Sequence, residues 1–181
     1  GIGLGTTGPL TRTVLDAAEA LRSQTDIVFL FIGDGAQKAA LATAAQERGL
    51  SNLLFKPYQP RKSLGQSLGA ADVHLITLRP ELEGLVVPSK FYGVAAVGRP
   101  TIFIGDPEGE IGSVVREAEC GMCVQQGDGG GLAQAVTTLR DDSLLRERMG
   151  ANARCVFDER YDKAIAVAAW RSLLESVTAA R

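Results

Sequence analysis

Short apolar runs that alternate with longer helical stretches constrain this chain more than any other feature. The runs are "DIVFLFIG", "NLLFK", "DVHLITL", "PTIFIG" and "GMCVQ". Between them lie stretches with helical spacing. The first carries Leu10, Val14, Ala17, Ala18 and Leu21 on one face, to about residue 23, and others run over 37–48, 64–70, 89–97 and 111–118. Beyond the last run, helices are expected over 131–139, 143–156 and 161–178. Strands that alternate with helices form βαβ units, and strands as continuously apolar as "DIVFLFIG" belong in a parallel sheet covered on both faces. The expected fold is therefore α/β and Rossmann-like, a parallel sheet of about six strands flanked by helices, with 161–178 as a long closing helix. A chain of 181 residues that is 45% apolar has material for one such core. The stretch "QQGDGGG" has the length of a strand-to-helix connection, and no repeat is visible. One domain over 1–181 is expected.

Charge and cysteine content narrow the function classes. A net charge of -2 lacks the basic excess that nucleic-acid binding by bulk electrostatics requires, so no nucleic-acid partner is expected. No apolar run approaches the roughly 20 residues of a membrane span, and no signal peptide is apparent. The sequence opens at Gly1 without Met, which reads as a piece of a longer protein. Cys120 and Cys123 form a C-x-x-C, but the second pair of a zinc site is absent and Cys155 stands apart. No metal site is expected. His74, inside the apolar run "DVHLITL", reads as a packed strand histidine.

Ligands in such a sheet bind outside the carboxyl ends of the strands, so the loops after the strands carry the candidate chemistry. Gly3, Gly5 and Gly8 have the spacing of a dinucleotide-binding turn, in which glycine lets main-chain amides approach a phosphate. In an NAD-binding reading, Asp34 would hold the ribose. In "ELEGLVVPSKFYGVAAVGRP", Pro88 and Ser89 introduce a helix whose free amides Ser89 can cap, and Gly98 can end it. Such a helix start gathers unpaired N–H groups and positive potential, to which Lys90 adds a charge. Gly93 inside that helix suggests a close approach, by a ligand or a packed strand. Glu81 and Glu83 stand just ahead of the helix start, placed to accept hydrogen bonds from sugar hydroxyls or to act as acid and base.

These residues resemble the carboxy-terminal, donor-binding half of the retaining GT-B glycosyltransferases of family 4. The resemblance rests on "FIGDG", "NLLFKPYQPRKSLGQSLGAADVHLITLRP", "EGLVVPSKFYGVAAVGRPTI", "CGMCVQQGD" and "LRERMGANARCVFDERYDK", in that order over nearly the whole chain. The "VPSKFYGVAAVGRP" form is most similar to the subgroup that builds bacterial surface polysaccharides and O-antigens. The resemblance implies that Glu83, with Gly84 and Pro88, contacts the donor sugar. It implies that the loop over Lys56 and Tyr58 reads the base, with Tyr58 as a stacking surface, and that Glu110, in a loop, reaches the donor sugar. Two departures stand out. The family's second Glu, which holds the ribose, meets Phe91 or Gly93 here, and its Arg and Lys pair after the first strand is missing from "GIGLGTTGP". Lys90, the Ser89 helix start and the amides of Gly3 to Gly8 would grip the diphosphate instead.

The implied function is donor binding for retaining transfer from a nucleoside diphosphate sugar, a UDP-sugar, to a polysaccharide or lipid-linked acceptor. No metal or cofactor is expected. The acceptor site would belong to an amino-terminal half outside this sequence, and that half would hold the enzyme in the cytoplasm, peripheral to the inner face of the membrane. Two alternatives remain from the residues alone: the nucleotide-binding domain of an NAD-dependent oxidoreductase, and a non-catalytic nucleotide-binding module.

Overall fold

The computed structural model describes residues 9–33 and 38–179. Each apolar run named above forms one strand: β1 (Phe29–Ile32), β2 (Leu53–Lys56), β3 (His74–Thr77), β4 (Thr101–Ile104) and β5 (Gly121–Val124). All pairings are parallel. The described residues thus hold five strands rather than about six, and they fall into two sheets, β1-β2 and β3-β4-β5. Gly3, Gly5 and Gly8 lie outside the described residues.

The connecting helices are α1 (Pro9–Ala20), α2 (Lys38–Glu47), α3 (Leu64–Gly69), α4 (Lys90–Ala96) and α5 (Glu110–Glu117). After β5 come α6 (Gly129–Asp141), α7 (Ser143–Val156) and α8 (Lys163–Ala179), the last two joined by a π-helical turn at Phe157–Tyr161. β4 lies between two parallel neighbours and all four of its residues are buried, as expected of a strand covered on both faces.

The two faces carry separate clusters. One joins α1, α2 and α6 to the strands through Leu15, Phe29, Leu41, Leu53, Ile102 and Leu132. The other joins α4, α5 and α7 through Ile76, Phe91, Val94, Phe103, Val115 and Val156. Alternation along β4 divides the work, with Ile102 and Ile104 pointing to the first cluster and Phe103 to the second.

"QQGDGGG" is the tight connection the sequence suggests. The Asp128 carboxylate accepts the Gly131 N–H at 2.7 Å and caps α6. Gly127, at φ +91°, donates its N–H to Thr13 Oγ1 at 2.8 Å, and Gly129 lies against the α1 backbone. α6 can cross α1 this closely because a Cβ on Gly129 would collide with Asp16. α8 is different: Ile165, Val167, Trp170, Leu173, Leu174 and Val177 are all exposed.

Candidate functional site

The loop after β3 bends through a 3₁₀ turn at Pro80–Leu82, closed by Leu82 N–H to the Arg79 carbonyl and Glu83 N–H to the Pro80 carbonyl. That turn delivers Glu83 to the start of α5. Its Oε1 accepts the Glu110 N–H at 3.0 Å, while Oε2 is buried with no hydrogen-bond partner among the described residues. A Cβ at Gly109, just before α5, would overlap the Glu83 carboxylate and force it to move. Gly84 follows at φ +73°, a left-handed turn residue that puts Leu85 and Val86 into solvent.

Glu110 is corrected by this geometry. It is the first residue of α5, not a loop residue, and its main-chain N–H is spent on Glu83. The turn before it is tied internally: Asp106 Oδ1 accepts from Glu108 N–H at 2.9 Å, and Gly109 N–H donates to the Asp106 carbonyl. Because the Gly109 backbone, at φ -67°, suits any residue, Gly109→Ala tests the Glu83 contact alone. We expect it to lower unfolding free energy in urea by about 0.5–2 kcal/mol, the range for losing a helix cap. Glu83→Ala should cost a similar amount and the double variant no more than either, because both remove one interaction.

At the end of β3's crossover, Pro88 is buried while Ser89 and Lys90 are exposed. Ser89 does not cap α4: its backbone is already helical, at φ -55° and ψ -18°, and its side chain makes no capping bond. The Phe91 N–H is taken by the Pro88 carbonyl at 3.0 Å. The close neighbour of Gly93 within the fold is not a strand. It is the Leu68 side chain of α3, which a Cβ at Gly93 would meet at 3.2 Å. Gly98 does end the helix, at φ +65°, and Arg154 of α7 donates to the Ala96 carbonyl at 2.7 Å.

Lys90 has no ion pair among the described residues. Its charge is felt at His74, whose pKa is lowered chiefly by burial, with Lys90 and Arg99 adding to the effect. His74 Nε2 lies 2.8 Å from the Leu68 carbonyl, so it is the packed strand histidine the sequence suggests.

At the end of β2, the Lys56 carbonyl already accepts from Lys38 Nζ at 3.2 Å and from Gly33 N–H at 3.2 Å. The Pro57 carbonyl accepts from Gln59 Nε2. The Lys56 and Pro57 carbonyls are therefore already engaged, whereas the Tyr58 side chain is 68% exposed. Gly3, Gly5, Gly8 and Asp34 lie outside the described residues. A groove of about 660 Å³ opens beside β5 and α6, lined by Met122, Cys123, Gln125, Asp128 and Gln134 among others. None of the residues named from the sequence as donor contacts lines it, and no residue spacing pointed to it.

No group of three or more metal-binding side chains occurs among the described residues. The cysteines are unlike one another: Cys120 is buried, Cys123 partly so, and Cys155 is exposed, its thiol donating to Glu159 Oε1 at 3.2 Å. Burial pushes the Cys120 thiol up to about 11. Its neutral form is favoured in the fold, so this contribution to stability is complete below about pH 9 and is lost as pH rises toward 11. The hydrogen bond to Glu159 raises the Cys155 thiol, so a thiol reagent at pH 8 should modify the exposed Cys155 first, though more slowly than a free thiol, and leave Cys120 untouched until the chain unfolds.

The parallel strands and the helices that connect them define a doubly wound α/β class of protein. A sequence profile of the family described as glycosyl transferases group 1 matches residues 11–156. The chain belongs to that family. Over 139 residues it is 30% identical to WcaI of Escherichia coli (strain K12), a glycosyl transferase named for colanic acid biosynthesis, covering 74% of this chain and 34% of WcaI. The Anabaena Alr3699/HepE structure in complex with UDP-glucose aligns with a TM-score of 0.72 at 17% identity, over 96% of this chain and 46% of that one. The carboxy-terminal domain of the group 1 family protein LpcC from Francisella tularensis aligns with a TM-score of 0.67 at 18% identity, over 84% of this chain and 80% of that domain. The chain thus spans about a third to a half of the longer proteins it matches. Neither the family nor these relatives favours an NAD-dependent oxidoreductase. No helix among the described residues is long and apolar enough to cross a membrane.

Proposed function

We propose that this chain is the donor-binding, carboxy-terminal half of a retaining glycosyltransferase, and that it takes a nucleoside diphosphate sugar, specifically a UDP-sugar. The observation that carries the reading is the family match over 11–156, supported by the fold shared with the UDP-glucose complex of HepE. The likeness to WcaI supports a surface polysaccharide or a lipid-linked sugar as acceptor. An amino-terminal half would hold that acceptor, and it would place the enzyme in the cytoplasm at the inner face of the membrane.

In this reading the donor lies across the carboxyl ends of the strands. The Lys90 ammonium and the main-chain amides at Ser89 and Lys90 would grip the diphosphate, together with the amides of Gly3, Gly5 and Gly8. Tyr58, after Lys56, offers its exposed ring to the base. Glu83, backed by Gly84 and Pro88, has one carboxylate oxygen on Glu110 N–H and a second without a partner among the described residues, which is suited to a sugar hydroxyl. Transfer breaks the bond between the anomeric carbon and the diphosphate oxygen, which leaves with the electron pair, while the acceptor oxygen bonds to that carbon on the same face and its proton passes to the departing diphosphate. Negative charge grows on the departing diphosphate, so fixed positive groups there lower the barrier without a metal.

Titration calorimetry with UDP, GDP and NAD separates the readings. UDP binding is expected, NAD binding would return the oxidoreductase, and silence toward all three in the full-length protein would favour the non-catalytic module. Product anomers analysed by NMR would test retention.

A further inference from the structure

We propose that the open edge of β5, together with the flank of α6 beside it, is the contact through which two copies of this chain join as a two-fold dimer. β5 ends the sheet β3-β4-β5 and has β4 as its one neighbour among the described residues. The Cys120 and Val124 carbonyls accept from Thr101 N–H at 3.2 Å and Gly105 N–H at 3.1 Å. By strand alternation, the main-chain groups of Gly121 and Cys123 therefore point away from β4. Natural sheets guard such an edge with charged side chains, proline or a bulge. The run from Cys120 to Gln126 holds no charge and no proline, so nothing in it repels a second strand.

The groove of about 660 Å³ lies along this edge, and α6 contributes Gly131, Gln134, Ala135 and Thr138 to its lining. Those four recur at i, i+3, i+4 and i+7, so they share one face of the helix. Gly131 and Ala135 are too small to fill the space beside the strand, while Gln134 and Thr138 are exposed. β5 has only four residues, too few for its outward main-chain groups to hold a partner alone. The helix face supplies the second layer of contact that a strand pair needs.

The chemistry of the patch points to a second copy as the occupant. A two-fold contact sets the same patch against itself, so each group must complement its own kind. Charged side chains fail that condition. Gln125, Gln134 and Thr138 meet it, because amides and hydroxyls both donate and accept, and none of the three makes a side-chain hydrogen bond among the described residues. Asp128 is the one carboxylate in the lining, and its Oδ1 is already engaged by the Gly131 N–H at 2.7 Å. A charged peptide would find no counter-charge here. A two-fold axis perpendicular to the sheet sets β5 antiparallel to its copy, with Gly121 and Cys123 exchanging N–H to carbonyl bonds across the axis. It also lays the two α6 helices side by side on one face, where Gly131 and Ala135 permit close approach. None of the residues assigned to the donor lines the groove, so the dimer leaves that site open.

Sedimentation of the full-length protein over a concentration series tests this, with amide hydrogen exchange read on the peptide covering 121–125. The parent is expected to sediment as a dimer in the micromolar range, and 121–125 should gain protection as concentration rises while 28–33 does not. Gln134→Lys and Gln134→Glu each bring two like charges into the contact. Either should raise the dimer dissociation constant at least roughly tenfold, with the circular dichroism unchanged because Gln134 is exposed. An equimolar mixture of the two variants should dimerise again, since opposite charges then face each other across the axis. A monomer at every concentration, a dimer that both variants leave intact, or a mixture that stays monomeric would overturn the proposal. So would protection of 121–125 that does not depend on concentration.

Discussion

Phe91→Ala is expected to lower unfolding free energy by about 3–5 kcal/mol, the range for emptying a fully buried aromatic site. The ring is fully buried beneath α4 in the cluster with Ile76, Val94 and Phe103, and its edge meets Tyr92 at 5.9 Å and Tyr161 at 6.4 Å. α4 has only seven residues and buries just Phe91, Val94 and Ala95. A helix that short has little stability of its own, so its position depends on that burial. Urea unfolding should show the loss directly, and UDP affinity should fall with it, because Ser89 and Lys90 ride on the same helix. Phe91→Leu should recover more than half of the stability. If Phe91→Ala unfolds within about 1 kcal/mol of the parent, α4 is held by something other than its buried face.

Lys90→Ala is expected to do the opposite: weaken UDP roughly tenfold to hundredfold, the equivalent of losing one charge-assisted contact, with little change in melting temperature. Lys90 is exposed and has no ion pair among the described residues, so its removal leaves no buried group stranded. Lys90→Arg keeps the charge and should retain part of the affinity, and raising the salt concentration should narrow the difference between the parent and the Lys90→Ala variant. Affinity unchanged in Lys90→Ala would remove the diphosphate from this corner, whatever became of the fold. The two variants thus separate support of the site from contact with the ligand.

Much of the architecture is legible before any coordinates. All five apolar runs became strands, because a run such as "PTIFIG" can bury every residue only between two covered faces. Two turns were equally readable: Gly98 ends α4, and "QQGDGGG" is a tight strand-to-helix connection. The candidate site was less legible, since its contacts join residues distant in sequence. Glu83 meets Glu110 across 27 positions and depends on Gly109 having no side chain. Gly93 suggested a close approach, and its neighbour within the fold is Leu68, a residue whose direction only α3 could set. Ser89 had the identity of a cap but not the backbone for it. Gly150 was not singled out, although a Cβ there would strike the Gly98 carbonyl, so α7 can close on α4 only as it stands.

The amino-acid sequence by itself determined which segments are strands and helices and where the chain turns, because periodicity and glycine act over a few neighbouring residues. Only the tertiary structure decided which strands pair, which carboxylate meets which helix start, and that α8 shows its apolar side to solvent. Those outcomes depend on which distant surfaces meet, and the free energy of meeting belongs to the pair rather than to either stretch alone.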